Sequence, residues 1–158
     1  MKNSTLNNKN RFYHKLINNE VSYSVNSISR YKKSNGKNGP DVKLKQLNIL
    51  KQKISSIRNC DLKKSATNLV FSDGNPFSKI MIIGEGPGAN EDKVGKPFVG
   101  RAGKLLDKML ASINLDRKKV YISNVVNYRP PENRKPTEEE IERYLPYLTS
   151  HIEIINPK

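Results

Sequence analysis

Two short apolar runs, Lys79–Ile83 and Val120–Val126, flank a stretch whose apolar residues recur at helical spacing, and this pattern constrains the fold more than any other feature of the chain. Leu105, Leu106, Met109, Leu110 and Ile113 fall on one face of a helix between the two runs. A strand, a helix and a second strand in that order require a crossover, and crossovers join parallel strands with a right-handed turn. The expected class is therefore α/β, with the strands near Ile80 and Tyr121 adjacent and parallel. The first run leads into GEGPGANED, Gly84 to Asp92, which carries three glycines, a proline and three acids. Glycines after a strand let backbone approach a ligand closely. A loop holding Glu85, Glu91 and Asp92 is poorly suited to phosphate, so it points to chemistry on a substrate rather than to anion capture.

Around this unit the reading is coarser. Asp41 starts a helix with Leu44, Leu47, Leu50, Ile54 and Ile57 at helical spacing, ending before Cys60. Residues Asn68–Phe71 read as a short extended piece and Ser72–Pro76 as a turn. Tyr128–Pro136 is too rich in proline for regular structure. Thr137 and Glu140 form a capping box for a helix that turns Ile141, Tyr144, Leu145, Leu148 and Ile152 inward, bends at Pro146 and ends at Pro157. Before it all, residues 1–40 are rich in Asn, Ser and Lys with Glu20 as their one acid, which reads as a disordered basic tail. Residues 41–158 form the domain.

The whole chain of 158 residues has a formal charge of +14, and a basic protein of this size is drawn to polyanions, nucleic acid above all. No apolar run is long enough to span a membrane. The single cysteine, Cys60, excludes an internal disulfide and suits a reducing compartment.

Both candidate functional loops leave the carboxyl ends of the parallel strands, where open α/β sheets bind ligands. The first offers Glu85, Glu91, Asp92 and Phe98; the second offers Asn124, Asn127, Arg129, Asn133 and Arg134. An aromatic ring for stacking, an amide that both donates and accepts, carboxylates and arginines suit one extruded nucleobase and its flanking phosphates.

Taken together, Gly84–Gly88 with Glu91 and Asp92, Gly95–Leu106 reading GKPFVGRAGKLL, Tyr121–Val126, and Arg129–Pro131 with Asn133 and Arg134 resemble the thermostable, iron–sulfur class of uracil-DNA glycosylases, family four. The resemblance runs from about Leu44 to Lys158. It implies a three-layer α/β/α fold on a parallel sheet, and hydrolysis of the N-glycosidic bond of uracil in DNA during base-excision repair. By the same resemblance Phe98 stacks on the base, Asn124 reads its amide edge, and Gly86 offers a backbone amide. Glu85, with Glu91 as a second candidate, faces the sugar as the catalytic carboxylate. Arg101, Arg129 and Arg134 contact phosphates. The plainer alternatives are a core role for Phe98, a strand-end cap for Asn124, a solvated acid at Glu85, a turn cap at Glu91 and a surface charge at Arg129.

Two departures from the family matter. The family holds a 4Fe-4S cluster on four cysteines, and here those positions carry Ile57, Cys60, Tyr128 and Tyr144. One thiolate cannot hold a cluster and tyrosine is too hard a ligand, so neither cluster nor other metal is expected. The family also continues through two further strands and a His-Pro motif whose histidine stabilises the leaving uracil. Neither His14 nor His151 stands in such a motif, and the expectation is a C-terminally truncated domain with very low excision activity. The expected setting is a monomer in the cytoplasm, associated with the nucleoid and acting on uracil-containing DNA. The competing readings are a non-catalytic DNA-binding module and a nucleotide-phosphate binder; the latter lacks a Gly-Lys-Ser/Thr motif.

Overall fold

The computed structural model describes residues 39–158. The tail expected over residues 1–40 lies outside the described residues except for Gly39 and Pro40, and so does His14. Helix α1, Pro40–Ser55, begins one residue before the expected start, with Pro40 in the first turn where its missing N–H costs nothing. There follow α2 (Asp61–Ser65), β1 (Asp73–Gly74), β2 (Met81–Gly84), α3 (Ala89–Val94), α4 (Arg101–Ser112), β3 (Tyr121–Asn124) and α5 (Glu138–Ile155). Sequence patterning missed α2 and α3. Both are helices of about a turn and a half, too short to show an apolar period.

The sheet has the order β1-β3-β2. Strands β2 and β3 run parallel, as the crossover requires, with Met81 opposite Tyr121 and Gly84 opposite Asn124. The sheet is nevertheless mixed rather than wholly parallel. Residues expected to turn at Ser72–Pro76 include β1, which pairs antiparallel with β3 through Asp73 and Gly74. The extended piece before it is tied in by Val70, whose N–H donates to the Asn127 carbonyl at 2.9 Å, and the turn follows only at Asn75–Ser78.

Helices cover both faces. On one, Leu47, Leu50 and Ile54 of α1 and Tyr144 and Ile155 of α5 pack with Phe71, Tyr121 and Val126. On the other, Leu110 of α4 packs on Val120 and Ile122, with Leu106 and Ile82 beside them. The layering is α/β/α. Three expected helix faces shift. Of the stripe expected on α4 only Leu110 is buried and Leu106 half-buried, while Leu105, Met109 and Ile113 are exposed. On α1 Leu44 is likewise exposed.

On α5 the inward stripe is Ile141, Tyr144, Leu148, His151 and Ile155, so that Ile152 lies outside and His151 takes the inner place. The capping box forms as expected, with the Thr137 hydroxyl accepting from the Glu140 N–H and the Glu140 carboxylate from the Thr137 N–H. The helix continues through Pro146 and stops at left-handed Asn156, ahead of Pro157.

His151 is 2% exposed. Its ring stacks on Phe71 at 4.6 Å, and its Nε2 shares a 2.8 Å hydrogen bond with the Tyr121 hydroxyl. Burial pushes its pKa down to about 4. The folded state therefore binds this proton less readily than the unfolded chain does, so stability is full above about pH 6.5 and falls as pH drops toward 4. The loss through this residue should approach about 3 kcal/mol. Denaturant titrations between pH 7.5 and 4 should show that slope, and His151→Phe should flatten it; an unchanged slope in the variant would assign the acid sensitivity elsewhere.

Candidate functional site

The carboxyl ends of β2 and β3 lie side by side, and the loops that leave them enclose a cleft of about 460 Å³. Gly84, Glu85, Gly86, Glu91, Phe98, Arg101 and Asn124 line it, joined by Asn90 and Asn133. Every residue expected at the base and the sugar thus converges on one space, and of the three expected phosphate contacts Arg101 does too.

Asn124 ends β3 and is buried, yet among the described residues its Nδ2 has no hydrogen-bond partner. An unsatisfied buried amide donor costs roughly 1–3 kcal/mol, so an ordinary structural cap does not account for it. Its register partner is Gly84. A Cβ on Gly84 would stand 2.4 Å from Asn124 Oδ1 and 2.7 Å from the Phe98 ring. Only glycine leaves room for the amide and the ring to meet there. What results is a floor of backbone, an aromatic wall and an amide with a free donor, a set that fits a flat heterocycle bearing a carbonyl oxygen.

Glu85 follows Gly84 directly and is exposed on the cleft side, its carboxylate free of hydrogen-bond partners among the described residues. Glu91 is placed differently. It sits on α3, and one carboxylate oxygen accepts from the Val99 and Gly100 N–H groups at 2.9 and 2.7 Å while the other accepts from Gly88 N–H at 3.2 Å. The turn role and the lining role coincide in this one residue. Asp92, its neighbour, is buried and accepts from the Thr67 and Asn68 N–H groups at 2.9 Å, which ties α3 to the segment before β1.

Arg101 opens α4 and is exposed at the cleft. Arg129 stands off the lining, half-buried, and its Nε donates to Asn133 Oδ1 at 2.8 Å. Arg134 also lies outside the lining and forks onto Glu140, donating at 2.7 and 2.8 Å. The Arg134 guanidinium holds the Glu140 carboxyl below its ordinary range. Asn127 serves structure, donating to the Val70 carbonyl at 3.1 Å.

Arg117 escaped the sequence reading. Its guanidinium donates to Asp107 Oδ1 at 2.8 Å, to Asp73 Oδ2 at 3.0 Å and to the carbonyls of Pro97 and Phe98. A single arginine ahead of a strand gives no pattern that would single it out.

The four positions where the resemblance expects cluster ligands also come together. Ile57, Cys60, Tyr128 and Tyr144 are all buried within one apolar cluster, with Cys60 Sγ 3.4 Å from the Tyr144 hydroxyl. Burial raises both phenols above their ordinary range, so they stay protonated at neutral pH. An alkyl group, one thiol and two neutral phenols do not fit an iron–sulfur cluster. Among the described residues no three His, Cys, Asp or Glu side chains gather as a metal site, and no helix is long and apolar enough to cross a membrane.

The profile of the uracil DNA glycosylase superfamily matches residues 71–158. Three curated relatives are similar over most of the described residues. Type-4 uracil-DNA glycosylase of Archaeoglobus fulgidus is 50% identical over 114 residues, covering 72% of this chain and 57% of that protein. The protein of the same name from Sulfurisphaera tokodaii is 50% identical over 113 residues, 71% of this chain and 51% of its own length. That from Thermotoga maritima is 46% identical over 111 residues, 70% of this chain and 58% of the relative. The chain spans about half the length of the curated relatives it matches. The profile runs over more than half of the chain and takes in both loops of the cleft: the chain belongs to the uracil DNA glycosylase superfamily.

Proposed function

We propose that this chain builds the base-binding pocket of a uracil-DNA glycosylase, a hydrolase of base-excision repair that takes a flipped uracil from DNA. The observation that carries the reading is the buried Asn124 amide, its Nδ2 without a partner among the described residues, closing with the Phe98 ring on Gly84. Uracil offers O4 as an acceptor next to N3–H as a donor, and an Asn side chain meets them with Nδ2 and Oδ1. Cytosine reverses that pattern and would leave two donors facing each other. Phe98 supplies the stacking face, a contact worth roughly 1–3 kcal/mol per base.

Breaking the bond between C1′ and N1 leaves positive charge on the sugar and the bonding electron pair on uracil. The oxygen of a water molecule then bonds to C1′, and its proton ends on the base or in solvent. Glu85, exposed on the cleft wall, is the group that would face the cationic sugar and orient that water. Such a carboxylate contributes about a hundredfold to ten-thousandfold. Glu91 supports the same cleft through the backbone it holds, and the Gly86 amide is available to the base. Arg101 suits a phosphate beside the cleft; Arg129 and Arg134 suit phosphates farther along the strand, Arg134 by exchanging Glu140 for DNA. His151, buried against Tyr121 and Phe71, takes no part at the leaving base. The protein acts in this reading as a monomer on nucleoid DNA in the cytoplasm, and without a cluster, because the four ligand positions carry Ile57, Cys60, Tyr128 and Tyr144, which pack together in one buried cluster.

The charge of +14 supports a second reading, a DNA-binding module without catalysis. The two part in a binding assay on single-stranded oligonucleotides carrying one deoxyuridine or one deoxycytidine. A pocket for uracil predicts a preference for deoxyuridine of about tenfold or more, lost in Asn124→Asp because a carboxylate cannot donate to O4. Equal affinity for both oligonucleotides, falling steeply with salt, would favour the module. For catalysis, in a family chain that also carries the His-Pro motif, the change matching Glu85→Gln should lower the rate of uracil release about a hundredfold or more with little change in DNA affinity, since the interaction matters most in the transition state. In these 158 residues, where excision is expected to be very low already, it should be nearly silent. An unaltered rate in the chain with the His-Pro motif would remove Glu85 from the mechanism. Purified protein from iron-supplemented cultures should be colourless; a brown preparation with stoichiometric iron would contradict the cluster-free core.

A further inference from the structure

Phe98 has a backbone φ of +54°, in the left-handed region that bulky side chains avoid at a cost on the order of 1–3 kcal/mol. A residue stays there only when its surroundings fix it, and the surroundings are specific. Arg117 Nη1 donates to the Pro97 carbonyl at 3.2 Å and Nη2 donates to the Phe98 carbonyl. Glu91 accepts from the N–H groups of Val99 and Gly100 at 2.9 and 2.7 Å. The peptide unit between Phe98 and Val99 is therefore held at both ends, its oxygen by a cation and its N–H by an anion.

Neither grip is casual. Asp107 and Asp73 anchor Arg117 from α4 and β1, and the guanidinium side chain is 25% exposed. Glu91, on α3, reaches its carboxylate to the N-cap of α4, whose first turn contains no acid of its own, so it meets the positive end of that helix as well as the loop. Gly103 completes the arrangement. A Cβ there would stand 1.7 Å from the Phe98 oxygen, so the helix comes against this peptide as no other residue would permit. Pro97, fully buried, stiffens the approach.

We propose that Arg117 and Glu91 are paired positioning residues that clamp the Phe98–Val99 peptide so that the Phe98 ring stands as a fixed wall of the cleft. Neither would touch the base. Their effect is preorganisation: without the clamp Phe98 relaxes toward negative φ, and the ring leaves the position opposite Asn124. The proposal rests on the reading of the cleft as a uracil pocket for its consequence, but not for its geometry.

The test uses the full chain labelled with 4-fluorophenylalanine, which gives four signals, one for each phenylalanine. The Phe98 signal is identified by its loss in Phe98→Leu. In Arg117→Gln and Glu91→Gln that signal should shift and broaden while the other three keep their positions. Arg117→Lys, which keeps the charge but not the fork, should restore it only in part. In parallel, deoxyuridine preference over deoxycytidine should fall by about tenfold in both glutamine variants, with affinity for the deoxycytidine oligonucleotide unchanged. A Phe98 signal unmoved in both variants overturns the clamp, and so does a moved signal with uracil preference intact. Absence of uracil preference in the parent chain would instead overturn the function proposed for the cleft, and the fluorine signals would still decide the clamp.

Discussion

The site depends on the register between two parallel strands. With Gly84 opposite Asn124, the last residues of β2 and β3 meet at the open end of the sheet, and both chains leave in the same direction. Only a parallel pair does this; antiparallel strands would send the two loops to opposite ends. The crossover that parallel pairing needs is what carries Phe98 and α4 past the strand ends. A slip of one residue would turn Asn124 to the other face of the sheet and exchange its place with that of Ser123, which donates instead to the Phe71 carbonyl at 2.8 Å.

From that register the acids of GEGPGANED divide by task. Glu85 stays on the strand end, exposed to the cleft. Glu91 and Asp92 turn back onto α3, where each accepts several backbone N–H groups. Loops without regular structure have orphaned amides, and each buried one must find a partner. Two carboxylates meet that need around a cleft that has to stay open. The glycines remove Cβ atoms where the Phe98 ring and the Asn124 amide close on the backbone.

Much of this was legible in the sequence, for a physical reason. Strand–helix–strand patterning has one common solution, so the parallel pair and the position of the cleft at its carboxyl end followed from the apolar runs alone. Phe98, Asn124 and Glu85 could be grouped because strand ends in such a fold are close. The mixed sheet was not legible, since the two residues of β1, Asp73 and Gly74, read as turn formers and pair only because β3 has a free edge. His151 went the same way: helical periodicity offered Ile152, and the choice was made by the flat face of Phe71 and the Tyr121 hydroxyl, neither visible in spacing. Arg117 lies outside every motif. Its partners are two backbone carbonyls and two aspartates brought together only by folding.

The central claim is that the Asn124 amide is held unpaired to receive a carbonyl oxygen of uracil. The Asn124 side-chain amide protons report on it directly in an NMR titration with free uracil and, separately, free cytosine. The account predicts a saturable downfield shift of one Asn124 proton with uracil, absent with cytosine and absent in Phe98→Ala. Equal shifts with both bases, or none with either, would contradict it.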